Sequence, residues 1–119
     1  MSDPDQLSDA AREAVEIAAA GRAIAISAIS TWEVALLVDR GRLTLRMDVA
    51  DWIAHSEALP YWTFIPVDNK IAFGSVALPP PFHPDPADRM IVATARSLNI
   101  PVVTKDQRIR SYPHVTTIW

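Results

Sequence analysis

The sequence predicts an α/β fold of three layers, with a parallel sheet covered by helices on both faces. Three observations predict it. Short apolar runs of strand length recur at residues 23–27, 63–67, 101–104 and 115–119. Stretches of helical period lie between them, most opening on a serine or an aspartate. The two kinds of segment alternate along the chain, the pattern of strands joined by helical crossovers.

Taken in order, Ser8 is placed to cap a helix over about 9–20, in which Ala11, Val15 and Ala18 share a face. Gly21 ends that helix. Residues 23–27, Ala-Ile-Ala-Ile-Ser, read as a buried strand. A helix follows over 31–39, with Gly41 as its stop, and Asp48 caps another over about 49–57. Residues 63–67 form a strand in which Pro66 marks an edge or an end. Asp68 caps a helix over 69–77, and the proline-rich residues 79–84 form an irregular loop. A helix opening at Pro86 runs to about Leu98, where Asn99 ends it. Residues 101–104 are the third strand, 107–110 a short turn and 115–119 the fourth strand. The chain shows no repeat, linker or low-complexity segment.

Composition narrows the class. At 119 residues, half of them hydrophobic, the chain makes one small domain with a real core. With no cysteine it has neither a disulfide scaffold nor a thiolate metal site. Charge or proline breaks every apolar run well before 18 residues, so no membrane span is expected. The first residues are acidic and polar, unlike a secretory signal, which makes the cytoplasm the default location. A net charge of −3 argues against a generic electrostatic nucleic-acid binder. It leaves room for a nuclease whose acids are neutralised by divalent ions.

The acids carry the chemistry. The stretch from His83 to Ala95 places Asp85 and Asp88 at the mouth of an apolar helix. Glu33 follows the first strand in Ser30-Thr31-Trp32-Glu33, and Asp106 follows the third in Val103-Thr104-Lys105-Asp106. Glu33, Asp88 and Asp106 all leave the carboxyl edge of the predicted sheet, where such folds bind ligands. Carboxylates gathered there are hard oxygen ligands for Mg²⁺ or Mn²⁺, and point to metal-assisted phosphodiester chemistry. Each acid also has a structural role. Ser30 and Glu33 match a capping box. Asp85 before Pro86 is an N-cap, which puts Asp88 at the N3 position facing the helix dipole. Asp106 can cap the turn after it. His83 reads as a loop histidine; His55 and His114 carry no motif. Arg89 is placed for a phosphate contact or, more simply, a salt bridge to a neighbouring acid. Arg40, Arg42 and Arg46 read as a solvated helix end or, as the alternative, a contact for RNA or an acidic partner segment, and the four tryptophans read as core and interface mass.

The segments Ser27-Ala28-Ile29-Ser30-Thr31-Trp32-Glu33-Val34-Ala35, Asp85-Pro86-Ala87-Asp88-Arg89-Met90 and Val103-Thr104-Lys105-Asp106, with the terminal Thr117-Ile118-Trp119, resemble PIN-domain proteins. More narrowly they resemble VapC-type toxins of bacterial toxin–antitoxin pairs. The likeness runs over essentially the whole chain in the same order. It implies a PIN-like α/β/α domain spanning residues 1–119 and an endoribonuclease using Mg²⁺ or Mn²⁺. Glu33, Asp88 and Asp106 would be its catalytic, metal-binding acids, Thr104 an accessory polar group and Asp85 an outer ligand. It further implies an RNA substrate, a VapB-type antitoxin and a homodimer. The chain departs from the pattern at its start, where the family has a short apolar strand ending in an acid. Asp3 and Asp5 follow no such strand, so the domain reads as truncated there. In the family that strand is central, lying between the counterparts of 23–27 and 101–104. Its absence predicts that these two strands either close up on each other or receive a strand from a second chain.

Two other functions compete. A PIN-like module short of one acid would dock an antitoxin or itself and cleave nothing. A receiver-like phosphoryl-transfer domain would need a nucleophilic aspartate ending an early strand, whereas the first strand here ends in Ser27.

Overall fold

In a computed structural model, which describes residues 8–20 and 24–119, side-chain caps set where the helices begin. The Ser8 hydroxyl accepts from the Ala11 amide at 3.1 Å and opens α1 (Asp9–Ala20). β1 (Ile24–Ser27) runs straight into α2 (Ala28–Asp39), because Ser27 Oγ accepts from the Ile29 amide at 3.3 Å. The helix thus starts before the expected cap at Ser30. Asp48 caps α3 (Val49–Glu57) through the Ala50 amide at 3.2 Å. β2 (Trp62–Ile65) stops before Pro66, which cannot donate to a ladder. Asp68 caps α4 (Asn69–Val76) through the Ile71 amide at 2.9 Å. Asp85 caps α5 (Pro86–Leu98), and Asn99, left-handed at φ 55°, ends it. β3 (Val102–Val103) leads to α6 (Gln107–Arg110), which Asp106 caps, and β4 (Thr117–Ile118) comes last. Gly21, the expected end of the first helix, Ala23, the expected start of the first strand, and Asp3 and Asp5 lie outside the described residues.

The core belongs to the helices. Ile71, Leu78, Val92, Ala93, Ile109 and Tyr112 form its buried cluster, with Phe82, Met90 and Val115 packed against it. α4 and α5 are the most extensively paired elements. Tyr112 donates its hydroxyl hydrogen to the Pro79 carbonyl at 2.7 Å and stacks on Phe82 at 4.5 Å, tying the proline-rich loop to the core.

Among the described residues the strand pairing is parallel, as predicted, but the ladder is not continuous. β1 pairs with β2 from Ile24 opposite Trp62 to Ser27 opposite Ile65. β3 pairs with β4, Val102 opposite Thr117 and Val103 opposite Ile118. No ladder joins β1 to β3 among the described residues, so closure of these two strands, one of the two expected outcomes, does not occur there. α1 touches both β1 and β4, and α5 touches both β1 and β3, so helices span the two pairs while the strand edges stay apart. A cavity of about 740 Å³ lies between them, with apolar walls that include Ile24, Ile91, Ile100, Val102 and Ile118. This corrects the expectation of a buried first strand: only Ser27 of β1 is buried, while Ala25 is exposed.

Candidate active site

Ser27, Ser30, Asp88, Thr104 and Asp106 are polar residues of the cavity wall, with Thr94 further along α5. The first five end or follow β1, follow β3 or sit in the first turn of α5, the edge where open α/β sheets place ligands. Asp88 is held there by its own amide, which donates to the Asp85 carboxylate at 3.1 Å. Asp106 is held by Thr104, whose hydroxyl accepts the Asp106 amide at 3.1 Å. Glu33 projects from the middle of α2, which packs against α5. With the cap moved to Ser27, Glu33 has no capping role.

Two basic side chains meet the acids. Arg108 Nη2 stands 3.2 Å from Asp106 Oδ2 and 3.5 Å from Asp88 Oδ2. His83 Nε2 is 3.3 Å from that same Asp88 oxygen. This is close enough for an ion pair when the ring is protonated, but the geometry makes no hydrogen bond. The His83 ring is largely buried and packs on Phe82 at 4.4 Å between centroids. His83 is a loop residue, as the sequence predicts, but its ring is turned inward; Arg108 carries no motif of its own. The one available signal was the Asp106-x-Arg108 spacing, which lets an arginine fold back onto a capping carboxylate.

Arg89 lies outside this cluster. Its Nε donates to the Ser75 carbonyl at 2.8 Å, Nη1 to those of Phe82 and His83 at 3.2 Å, and Nη2 to that of Val76 at 3.3 Å. Neither a phosphate contact nor a salt bridge is needed to explain it: the guanidinium clamps the end of α4 to the proline-rich loop. Asp85 is exposed and serves as the cap of α5.

Electrostatics couples the three principal acids. Burial pushes the Glu33 carboxyl above its ordinary range, and the nearby charges of Asp88 and Asp85 push it further. Burial also raises Asp88, as do Asp85 and Asp106, while His83 and Arg108 pull the other way. Asp106 is lowered, chiefly by the hydrogen bond from Arg108. As placed, no three Asp, Glu or His side chains among the described residues stand close enough to hold one ion. The donors nonetheless fit a hard divalent cation in kind. They are carboxylate oxygens, two of them gathered on one positive group, and burial and neighbouring acids hold Glu33 and Asp88 above their ordinary range, where a cation would relieve them.

The PIN domain family matches the chain over residues 1–115. Ribonuclease VapC22 of Mycobacterium tuberculosis (strain ATCC 25618 / H37Rv) is 37% identical to it over 120 residues, covering 99% of this chain and 88% of that protein. No solved structure matches it.

Proposed function

The chain belongs to the PIN domain family as a VapC-type member, and from that premise we propose that it is a metal-dependent endoribonuclease toxin. The observation that carries this reading is the meeting of Asp88 and Asp106 on one guanidinium at the carboxyl edge of the strands, with Glu33 in electrostatic reach. Glu33, Asp88 and Asp106 would hold Mg²⁺ or Mn²⁺. When bound, such an ion activates water and stabilises charge on the leaving oxygen of an RNA phosphodiester.

The chain's own residues fix the geometry for that chemistry. The α5 cap sets the backbone at Asp88, and Thr104 sets the backbone at Asp106. Asp85 adds negative charge behind the site. Arg89 acts through the loop, holding the segment that brings His83 against Asp88. In this reading residues 1–119 work as one PIN domain in the cytoplasm, with RNA as substrate, a VapB-like antitoxin as partner and a homodimer as the working form. Among the described residues no helix is long and apolar enough to cross a membrane. Small-angle scattering tests the dimer, and a monomeric profile at every concentration would exclude it.

A second reading, a PIN-like module that docks an antitoxin or itself without cleaving, draws on Arg108 filling the space between the two acids. RNA cleavage in Mg²⁺ or Mn²⁺ separates the two. Asp88→Asn keeps side-chain shape and loses charge, so cleavage should fall on the order of a hundredfold or more with the fold intact. No cleavage by the unaltered protein, or cleavage that Asp88→Asn leaves untouched, sinks the nuclease reading.

A further inference from the structure

Arg108 makes a two-pronged contact with Asp106, Nε to Oδ1 at 3.4 Å and Nη2 to Oδ2 at 3.2 Å, while Nη2 also reaches Asp88 Oδ2 at 3.5 Å. Asp88 comes from α5 and Asp106 from the turn after β3, so the guanidinium spans a junction between elements. With His83, which also lowers both acids, it offsets the repulsion of the two carboxylates, and it alone touches both. Mg²⁺ takes its oxygens at about 2.0–2.1 Å, so two oxygens sharing one ion lie within roughly 4 Å of each other. That geometry leaves no place for a nitrogen between them. The guanidinium and a shared ion therefore compete for the same oxygens. Arg108 can yield: its side chain is 60% exposed, whereas His83, the other basic neighbour of Asp88, is 15% exposed.

We infer that Arg108 is the resident counter-cation of the Asp88–Asp106 pair, that a divalent ion must displace it, and that this exchange sets the affinity of the site for metal. The inference rests on the metal-site reading above. It assigns Arg108 a role of its own, in positioning the acids while metal is absent and opposing metal entry.

Mn²⁺ titration of the full chain, with free ion followed by electron paramagnetic resonance, tests it without relying on activity. Arg108→Gln removes the charge while keeping a polar side chain. It should bind Mn²⁺ on the order of tenfold more tightly than the unaltered protein, the scale of removing one partly screened like charge. Its melting temperature should also rise more on adding Mn²⁺. Arg108→Lys keeps the charge and loses the fork, so its affinity should fall between the two. Asp88→Asn should abolish binding. If Asp88→Asn abolishes binding but Arg108→Gln binds no tighter than the unaltered protein, the metal site stands and the inference falls. If neither the unaltered protein nor Arg108→Gln binds Mn²⁺ up to millimolar concentrations, both fall. Should Arg108→Gln fail to fold, Arg108→Lys decides alone: affinity equal to or below that of the unaltered protein overturns the inference.

Discussion

Arg89 and Arg108 show how one residue type takes opposite roles within a few ångströms of the same loop. Arg89 turns its donors onto four carbonyls and becomes part of the scaffold. Arg108 meets the carboxylates of Asp106 and Asp88 and stays exposed. The acids divide in the same way. Asp106, lowered by Arg108, adds stability above the ordinary carboxylate range and loses it as pH falls. Glu33 is the reverse. Its folded-state pKa lies above the ordinary 4.5, so the folded chain takes up its proton more readily than the unfolded chain does. The stability this gives is fully present below the ordinary value and is lost as pH rises through the raised one. At neutral pH in chelator, ionised Glu33 therefore destabilises the fold. Glu33→Gln should raise the melting temperature there by a few degrees at most, because solvent screens a half-buried site. The gain should fade when the pH is taken below about 4. An unchanged or lower melting temperature at pH 7 would mean that Glu33 is not strained by its neighbours.

At the scale of elements, the pairing of α4 with α5 holds the core, and α4 carries a glycine inside it. A Cβ added at Gly74 would meet only the Ala93 Cβ at 3.8 Å, an ordinary contact. Alanine is favoured over glycine in a helix interior by about 1 kcal/mol. Gly74→Ala should therefore stabilise the protein and raise its melting temperature by several degrees in a thermal scan. A drop would show that α4 and α5 need to approach more closely than this spacing. Helix ends were legible in the sequence wherever a short polar side chain could reach its own backbone: Ser8, Asp48, Asp68, Asp85 and Asp106 all cap as read. The start of α2 was not legible, because Ser27 and Ser30 both suit a cap, and only the end of β1 decides between them. Asp85, Asp88 and Asp106 stood out for the same local reason, each at or near a helix start, whereas Glu33 lies in the middle of α2. Arg108 did not stand out, since its second carboxylate belongs to another element and the contact exists only after α5 and α6 pack.

Continuity of the sheet is a property of the whole molecule, and no local pattern encodes it. Parallel strands in a covered sheet are expected to be its most buried part. Here Ser27 is the only strand residue in the described chain that is buried, while α4, α5, α6 and the residues just beyond α4 and α6 supply the central cluster. The cavity separates β1 from β3, so among the described residues each strand has a single ladder partner. Total stability of a domain this size is about 5–15 kcal/mol, and local opening free energies follow buried apolar contact. The strand pairs should thus open more cheaply than the helical core. Native-state hydrogen exchange can resolve this residue by residue. The amides of Ile24, Val102 and Thr104, bonded to the carbonyls of Tyr61, Thr116 and Ile118, should exchange through partial openings that leave α5 intact. The amides around Val92, which is fully buried, should exchange only through global unfolding, with denaturant sensitivity to match. Equal protection for both sets would mean that the two strand pairs and the helical core form one cooperative unit despite the cavity between them.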